Sequence, residues 1–118
     1  MLSNTGINKV ILLGKITSTP FRKRKIGNED YLCIILLTEE VIKRSSDNIG
    51  HKEHHKIRIP EKLIEQDEIY LENGQTVYIE GKTQTTSYID EIRVKRYDLE
   101  IIASKIEVIA NVGANAIQ

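Results

Sequence analysis

Residues 60–74, PEKLIEQDEIYLENG, are where the period of the chain changes. Pro60 suits the start of a helix, Leu63, Ile64, Tyr70 and Leu71 return at helical spacing, and Asn73-Gly74 makes a suitable stop. No other stretch carries a helical period. Immediately upstream, residues 52–59 (KEHHKIRI) alternate, with His55, Ile57 and Ile59 on one face and His54, Lys56 and Arg58 on the other. A half-buried strand with a basic outer face is predicted there.

Working outward, residues 9–17 (KVILLGKIT) and 31–38 (YLCIILLT) are short, apolar and β-branched, bounded by Gly, Asn, Asp and Pro. Both predict strands. The second has no polar alternation, so both of its faces should be covered, one by the core and the other by a further subunit. Downstream, residues 76–85 (TVYIEGKTQT) and 97–110 (YDLEIIASKIEVIA) read as strands around a polar hairpin tip near residues 90–95. Gly14 and Gly81, inside strand patterns, predict the bulges or bends that curl a sheet into a barrel.

Three strands, one helix and two more strands is the order of an all-β, five-stranded OB barrel with its helix between strands 3 and 4, although pattern alone also allows other small barrels. The 118 residues, 40% hydrophobic with two prolines, suit one domain with one core, here taken as residues 1–110 followed by a short tail, 111–118. Lys plus Arg equals Asp plus Glu, 17 of each, so a strong phosphate-neutralising bias is missing from the sum. It is present locally: Arg22, Lys23, Arg24 and Lys25 are contiguous, while acids crowd Glu61, Glu65, Asp67, Glu68 and Glu72. By default a basic run of this kind is a solvated strand edge. Cys33, the single cysteine, reads as a buried thiol in a reducing compartment, and the N-terminus shows no secretory leader or spanning segment, so a cytoplasmic, membrane-free protein is expected.

Catalytic motifs are missing: there is no phosphate-cradling Gly loop, nucleophile elbow or paired Cys ligands, and an enzyme is not expected. His51, Glu53, His54 and His55 hint at a metal, but adjacent His54 and His55 on a strand face opposite ways and cannot share one ion. No metal or cofactor is expected.

The ordered set Asn8-Lys9-Val10-Ile11-Leu12-Leu13-Gly14, Thr19-Pro20, Glu53-His54-His55-Lys56, Tyr70-Leu71, Asn73-Gly74, Val77-Tyr78-Ile79-Glu80-Gly81-Lys82 and Arg96-Tyr97 resembles the bacterial single-stranded DNA-binding protein family. The resemblance is collinear from about Asn8 to Val108. It implies an OB barrel, a homo-oligomer (tetramer, or dimer), and sequence-independent binding of single-stranded DNA in replication, recombination and repair at the nucleoid. It places phosphates on Arg22, Lys23, Lys43, Lys56, Lys62 and Lys82, bases on His54, Tyr88 and Tyr70, and subunit contacts at Lys9, Ile11, His55 and Tyr78. Phe21 or Tyr97 could add a base contact.

Departures bear on affinity. The family usually has tryptophan at the positions of Ile42, His54 and Tyr88 and phenylalanine at Pro60, and this chain has no Trp. Each lost platform forfeits roughly 1–3 kcal/mol of base stacking. The sequence stops at Gln118 without the family's acidic partner-recruiting tip, as expected of either a shortened chain or a diverged paralogue. The alternative function is therefore a diverged OB-fold protein-interaction module in which DNA binding has faded.

Overall fold

A computed structural model describes residues 5–26 and 29–112, without the side chains of residues 23–26 and of Arg44. Six strands and one helix follow in the order β1 (Val10–Ile16), β2 (Phe21–Ile26), β3 (Glu29–Arg44), β4 (Asp47–Pro60), α1 (Glu61–Gln66), β5 (Thr76–Ile89) and β6 (Lys95–Ala110). The sheet order is β1-β5-β6-β4-β3-β2, and β1 also pairs with β3. Five strands therefore close on themselves, β1-β5-β6-β4-β3-β1, as the OB-barrel reading requires. The sixth segment, β2, shares with β1 the edge of β3: Phe21 lies opposite Cys33, while Lys15 lies opposite Leu37. The basic run is thus an edge strand, where repeated cations discourage pairing with another chain.

Closure depends on two places where a side chain is impossible. A Cβ on Gly14 would stand 2.3 Å from the Leu37 carbonyl oxygen, and one on Gly81 would stand 2.2 Å from that of Ile102. Gly81 is also where the β5–β6 register shifts, so the bend expected from the sequence is a β-bulge. The core inside is aliphatic, with Ile16, Ile34, Leu36, Ile57, Ile59, Val77, Ile79, Ile101 and Ile106 all buried.

The helix is shorter than its sequence period. It ends at Gln66, Glu68 takes φ +51°, the Ile69 amide donates to the Ile64 carbonyl, and the Glu68 amide reaches toward that of Glu65. This is a Schellman stop with glutamate where glycine is usual, which hides the stop from a sequence reading. Leu63, Ile64 and Ile69 still pack on the core, but Tyr70 lies beyond the helix and is exposed, not on its apolar face. Asn73-Gly74 is instead the turn into β5, with Gly74 at φ +99°.

The strands outrun the predicted segments. Beyond the barrel, β3 and β4 continue as one two-stranded arm to a turn at Ser45, and β5 and β6 as another to residues 90–94. Residues 113–118, most of the predicted tail, lie outside the described residues. No helix among the described residues is long and apolar enough to cross a membrane.

Candidate nucleic-acid interface

Strand alternation decides what stands on the outside of the barrel. On β4, Ile57 and Ile59 point into the core, and His54, Lys56 and Arg58 point outward. Cross-strand pairing places Phe21, Cys33, Arg58, Ile102 and Lys82 in one row across β2, β3, β4, β6 and β5. The same register sets Thr86 opposite Asp98, and Tyr88 opposite Arg96, further along the β5–β6 arm. One continuous face thus carries Phe21, His54, Lys56, Lys82, Tyr88, Asp98 and Glu100.

Its electrostatics differ from the basic face that the sequence predicts. Lys56 Nζ donates to Asp98 Oδ1 at 2.7 Å, and that bond holds its ammonium above the usual lysine range, with the Glu100 carboxylate adding in the same sense. Arg58 is buried, not solvated: it pairs with buried Glu100 and lies 5.3 Å over the Tyr31 ring. Its Nε is the one buried side-chain polar atom without a hydrogen bond among the described residues. The signal for this burial was the matching alternation Asp98, Glu100 on β6, which a single-strand reading does not connect to Lys56 and Arg58.

Tyr88 is half exposed near the base of a stiff tip. Asp90 Oδ1 accepts from the Ile92 and Val94 amides at 3.0 and 2.9 Å, and Oδ2 accepts from Arg96 Nε at 2.8 Å. The Arg96 guanidinium, followed by these amides, pulls the Asp90 carboxyl below its usual range. The tip exposes Ile89 and Ile92, and the arm's other face exposes Tyr97, with Lys95 Nζ 5.6 Å from its ring centre.

The remaining predicted DNA contacts fall elsewhere. Arg22 points to the opposite side from Phe21 and pairs with Glu61 at 3.0 Å. It shares a cleft with Tyr70, Glu61, Glu65 and Glu72, surroundings that repel a phosphodiester. Lys62 pairs with Glu29 at 3.0 Å, and together with the Tyr31 hydroxyl it lowers the Glu29 pKa. Lys43 stands near the tip of the β3–β4 arm; neither it nor Lys82 has an ion-pair partner among the described residues. The side chain of Lys23 lies outside the described residues.

Three of the four predicted subunit contacts come together. Ile11 and Leu13 are exposed on β1 opposite Glu80 and Tyr78, the Tyr78 hydroxyl donates to Glu80 Oε2, and Lys9 Nζ lies 3.7 Å from Glu80 Oε1. The Tyr78 hydrogen bond is the main cause of a lowered Glu80 pKa, with Lys9 and Lys105 adding to it. Leu13 belongs with this patch, although nothing in the sequence singles it out. His55 is separate: it faces the barrel side of the β3–β4 arm, its Nε2 2.9 Å from Thr38 Oγ1, on the face opposite His54 as the alternation requires. Among the described residues no three His, Cys, Asp or Glu side chains converge to hold a metal.

A five-stranded closed barrel with an aromatic and charged outer face and two projecting arms defines the class, an OB-fold protein. Residues 7–109 match the family described as "Single-strand binding protein family", and the chain belongs to that family. Single-stranded DNA-binding protein 1 of Chlorobaculum tepidum is 34% identical over 106 residues, 88% of this chain and 65% of that protein. The single-stranded DNA-binding protein of Xanthomonas campestris is 30% identical over 109 residues, 92% of this chain and 63% of that one. The chain thus spans slightly less than two thirds of the length of these curated relatives. Among solved structures, the Plasmodium falciparum SSB complex with ssDNA superposes with a TM-score of 0.75 at 21% identity, covering 93% of this chain and 99% of that one. The wild-type single-stranded DNA binding protein from Thermus aquaticus does so with 0.73 at 22%, covering 92% and 52%. These two likenesses are of fold.

Proposed function

We propose that this protein binds single-stranded DNA with no strict sequence requirement, as a non-enzymatic OB-fold domain serving replication, recombination and repair in the cytoplasm. The observation that carries the reading is an exposed Tyr88 on the same open sheet face as Lys56, in a family whose relatives are named for this activity. In this reading the strand runs along that face between the two arms. His54, Tyr88 and Phe21 stack bases, while Lys82 and Lys43 meet phosphates. Arg22, Lys62 and Tyr70 are peripheral, because glutamates already occupy their surroundings. Residues 1–110 form the binding domain. The exposed Ile11, Leu13 and Tyr78 patch, with Lys9, serves a homo-oligomer, a dimer or a tetramer.

The paired cations favour one second reading, a protein-interaction module with weak DNA binding. Titrating a fluorescent oligothymidylate by anisotropy at low and moderate salt, against a duplex of equal length, separates the two. Salt-sensitive, strand-selective binding supports the proposal, whereas no binding at micromolar protein supports the module.

Tyr88→Ala should weaken binding about tenfold or more, since one stacked base contributes roughly 1–3 kcal/mol. The loss should be the same for every sequence; a loss confined to some sequences would contradict stacking. His55→Ala should lower the oligomer's stability if the arm face that His55 shares with Thr38 is a second subunit contact, the place the family resemblance gives it. Light scattering on serial dilution should then show dissociation at higher protein concentration than in the unchanged chain, and an unaltered mass profile would remove His55 from the contact.

A further inference from the structure

Lys56 and Arg58, which β4 turns toward the outer face of the barrel, are both answered by carboxylates of β6: Lys56 by Asp98 at 2.7 Å, Arg58 by Glu100. The two pairs differ in what can reach them. Arg58 and Glu100 are buried, so a phosphate passing over the sheet does not part them. The side chains of Lys56 and Asp98 are 56% and 31% exposed, and a strand laid on this face meets them directly. An exposed ion pair contributes only about 0–1 kcal/mol to stability, so the barrel does not need Asp98 to stay closed. Its consequence lies in what Lys56 can do.

For Lys56 to hold a phosphate, its bond to Asp98 has to open, and one ammonium–anion contact is then exchanged for another. The Asp98 carboxylate left behind stands unpaired beside the phosphate and repels it. Neither Arg58 nor Arg96 is free to take Asp98 over, since they are paired with Glu100 and Asp90. The exchange therefore yields no net attraction, and Lys56 stays with Asp98 while the strand is bound. Bases stacked on Tyr88 and His54 meet no such opposition, because they are uncharged.

We infer that Asp98 is a built-in counter-ion that competes with DNA phosphate for Lys56, so that the chain binds single-stranded DNA more weakly, and with a shallower salt dependence, than its outward lysines would give. The inference rests on the proposed DNA binding and adds to it the residue that limits its strength. Asp98 is a positioning residue: it touches no DNA and acts through Lys56. Releasing Lys56 adds one phosphate contact, which steepens the dependence of log K on log salt by about 0.7 for a single strand. Over a fourfold change in salt that is about 2.5-fold in affinity.

The test is titration of a fluorescent oligothymidylate between about 50 and 200 mM salt, with the unchanged protein, Asp98→Asn, Lys56→Gln and the double variant. Asp98→Asn should bind roughly threefold to tenfold more tightly at the low-salt end and show the steeper slope. Asp98→Ala, which leaves no oxygen to hold Lys56, should do the same. Glu39→Gln is the control for loss of a negative charge alone: Glu39 is exposed on the same arm face as His54, without an ion-pair partner among the described residues, and its gain should be smaller. The decisive comparison is Lys56→Gln in the two backgrounds. It should leave the slope unchanged where Asp98 is present and remove the added slope where Asp98 is Asn. Matching melting curves establish that the variants are folded. An Asp98→Asn gain no larger than that of Glu39→Gln overturns the inference and leaves DNA binding in place. So does a slope that Lys56→Gln flattens equally in both backgrounds. Binding by Asp98→Asn but not by the unchanged protein supports the inference, whereas binding by none of the proteins overturns it together with the proposed function.

Discussion

Gly81→Ala is expected to destabilise the protein by on the order of 3 kcal/mol or more, enough to unfold much of the population of a marginally stable domain. The added methyl would meet the backbone carbonyl of Ile102 at 2.2 Å, and a backbone atom cannot step aside as a flexible side chain can. The neighbouring strand must move, and that strand is β6, which holds Ile101 and Ala103 in the core and Asp98 and Glu100 on the outer face. The register shift at Glu80/Gly81 is the only bulge between Val77 and Ile89 in the described β5–β6 ladder, so there is no second place to absorb the strain. Gly50→Ala is the internal control: nothing lies within 4 Å of its added Cβ, and a surface change of this kind stays within about 0.5 kcal/mol. Urea unfolding followed by circular dichroism, compared at constant m-value, reads both. Similar midpoints for the two variants would mean that β6 can yield, and that the barrel is not pinned at this point.

How much of this is legible in the sequence depends on whether the signal lies within one strand or between two. The period of residues 52–59 separates His54 from His55 correctly, because alternation is a property of one strand. Gly14 and Gly81 are readable as bends for the same reason. The Schellman stop at Glu68 is not, since glutamate at a positive φ has no compositional sign, and the helical spacing that carries on to Tyr70 and Leu71 leads the eye past it. The charge state of the outer face is hidden for a different reason. Lys56 and Arg58 read as a basic face in isolation, and Asp98 and Glu100, each 42 residues after its partner, neutralise it through a parallel β4–β6 pairing that only the closed barrel creates. Residues 39–51 carry no clean alternation, so the length of the arms does not show, and with it the distance between Lys43 and the rest of the face.

Removing one partner of the Arg58–Glu100 pair is expected to cost roughly 3–5 kcal/mol, because the charge left behind is buried. Arg58 is 3% exposed and Glu100 7%, so neither Arg58→Met nor Glu100→Leu leaves an ion that water can reach without local opening. Arg58 has a partial substitute in the Tyr31 ring at 5.3 Å, worth at most about 2 kcal/mol when desolvated. Glu100 keeps only the more distant charge of Lys56, whose hydrogen bond goes to Asp98 at 2.7 Å. Arg58→Met should therefore be the more damaging of the two. The double variant Arg58→Met/Glu100→Leu should recover most of the loss, since the desolvation cost of two ions disappears along with their attraction and the replacements fill similar volume. Urea midpoints for the four proteins complete the cycle. If the two single losses simply add in the double variant, the pair is not acting as a pair, and Arg58 is held by packing against Tyr31 and Cys33.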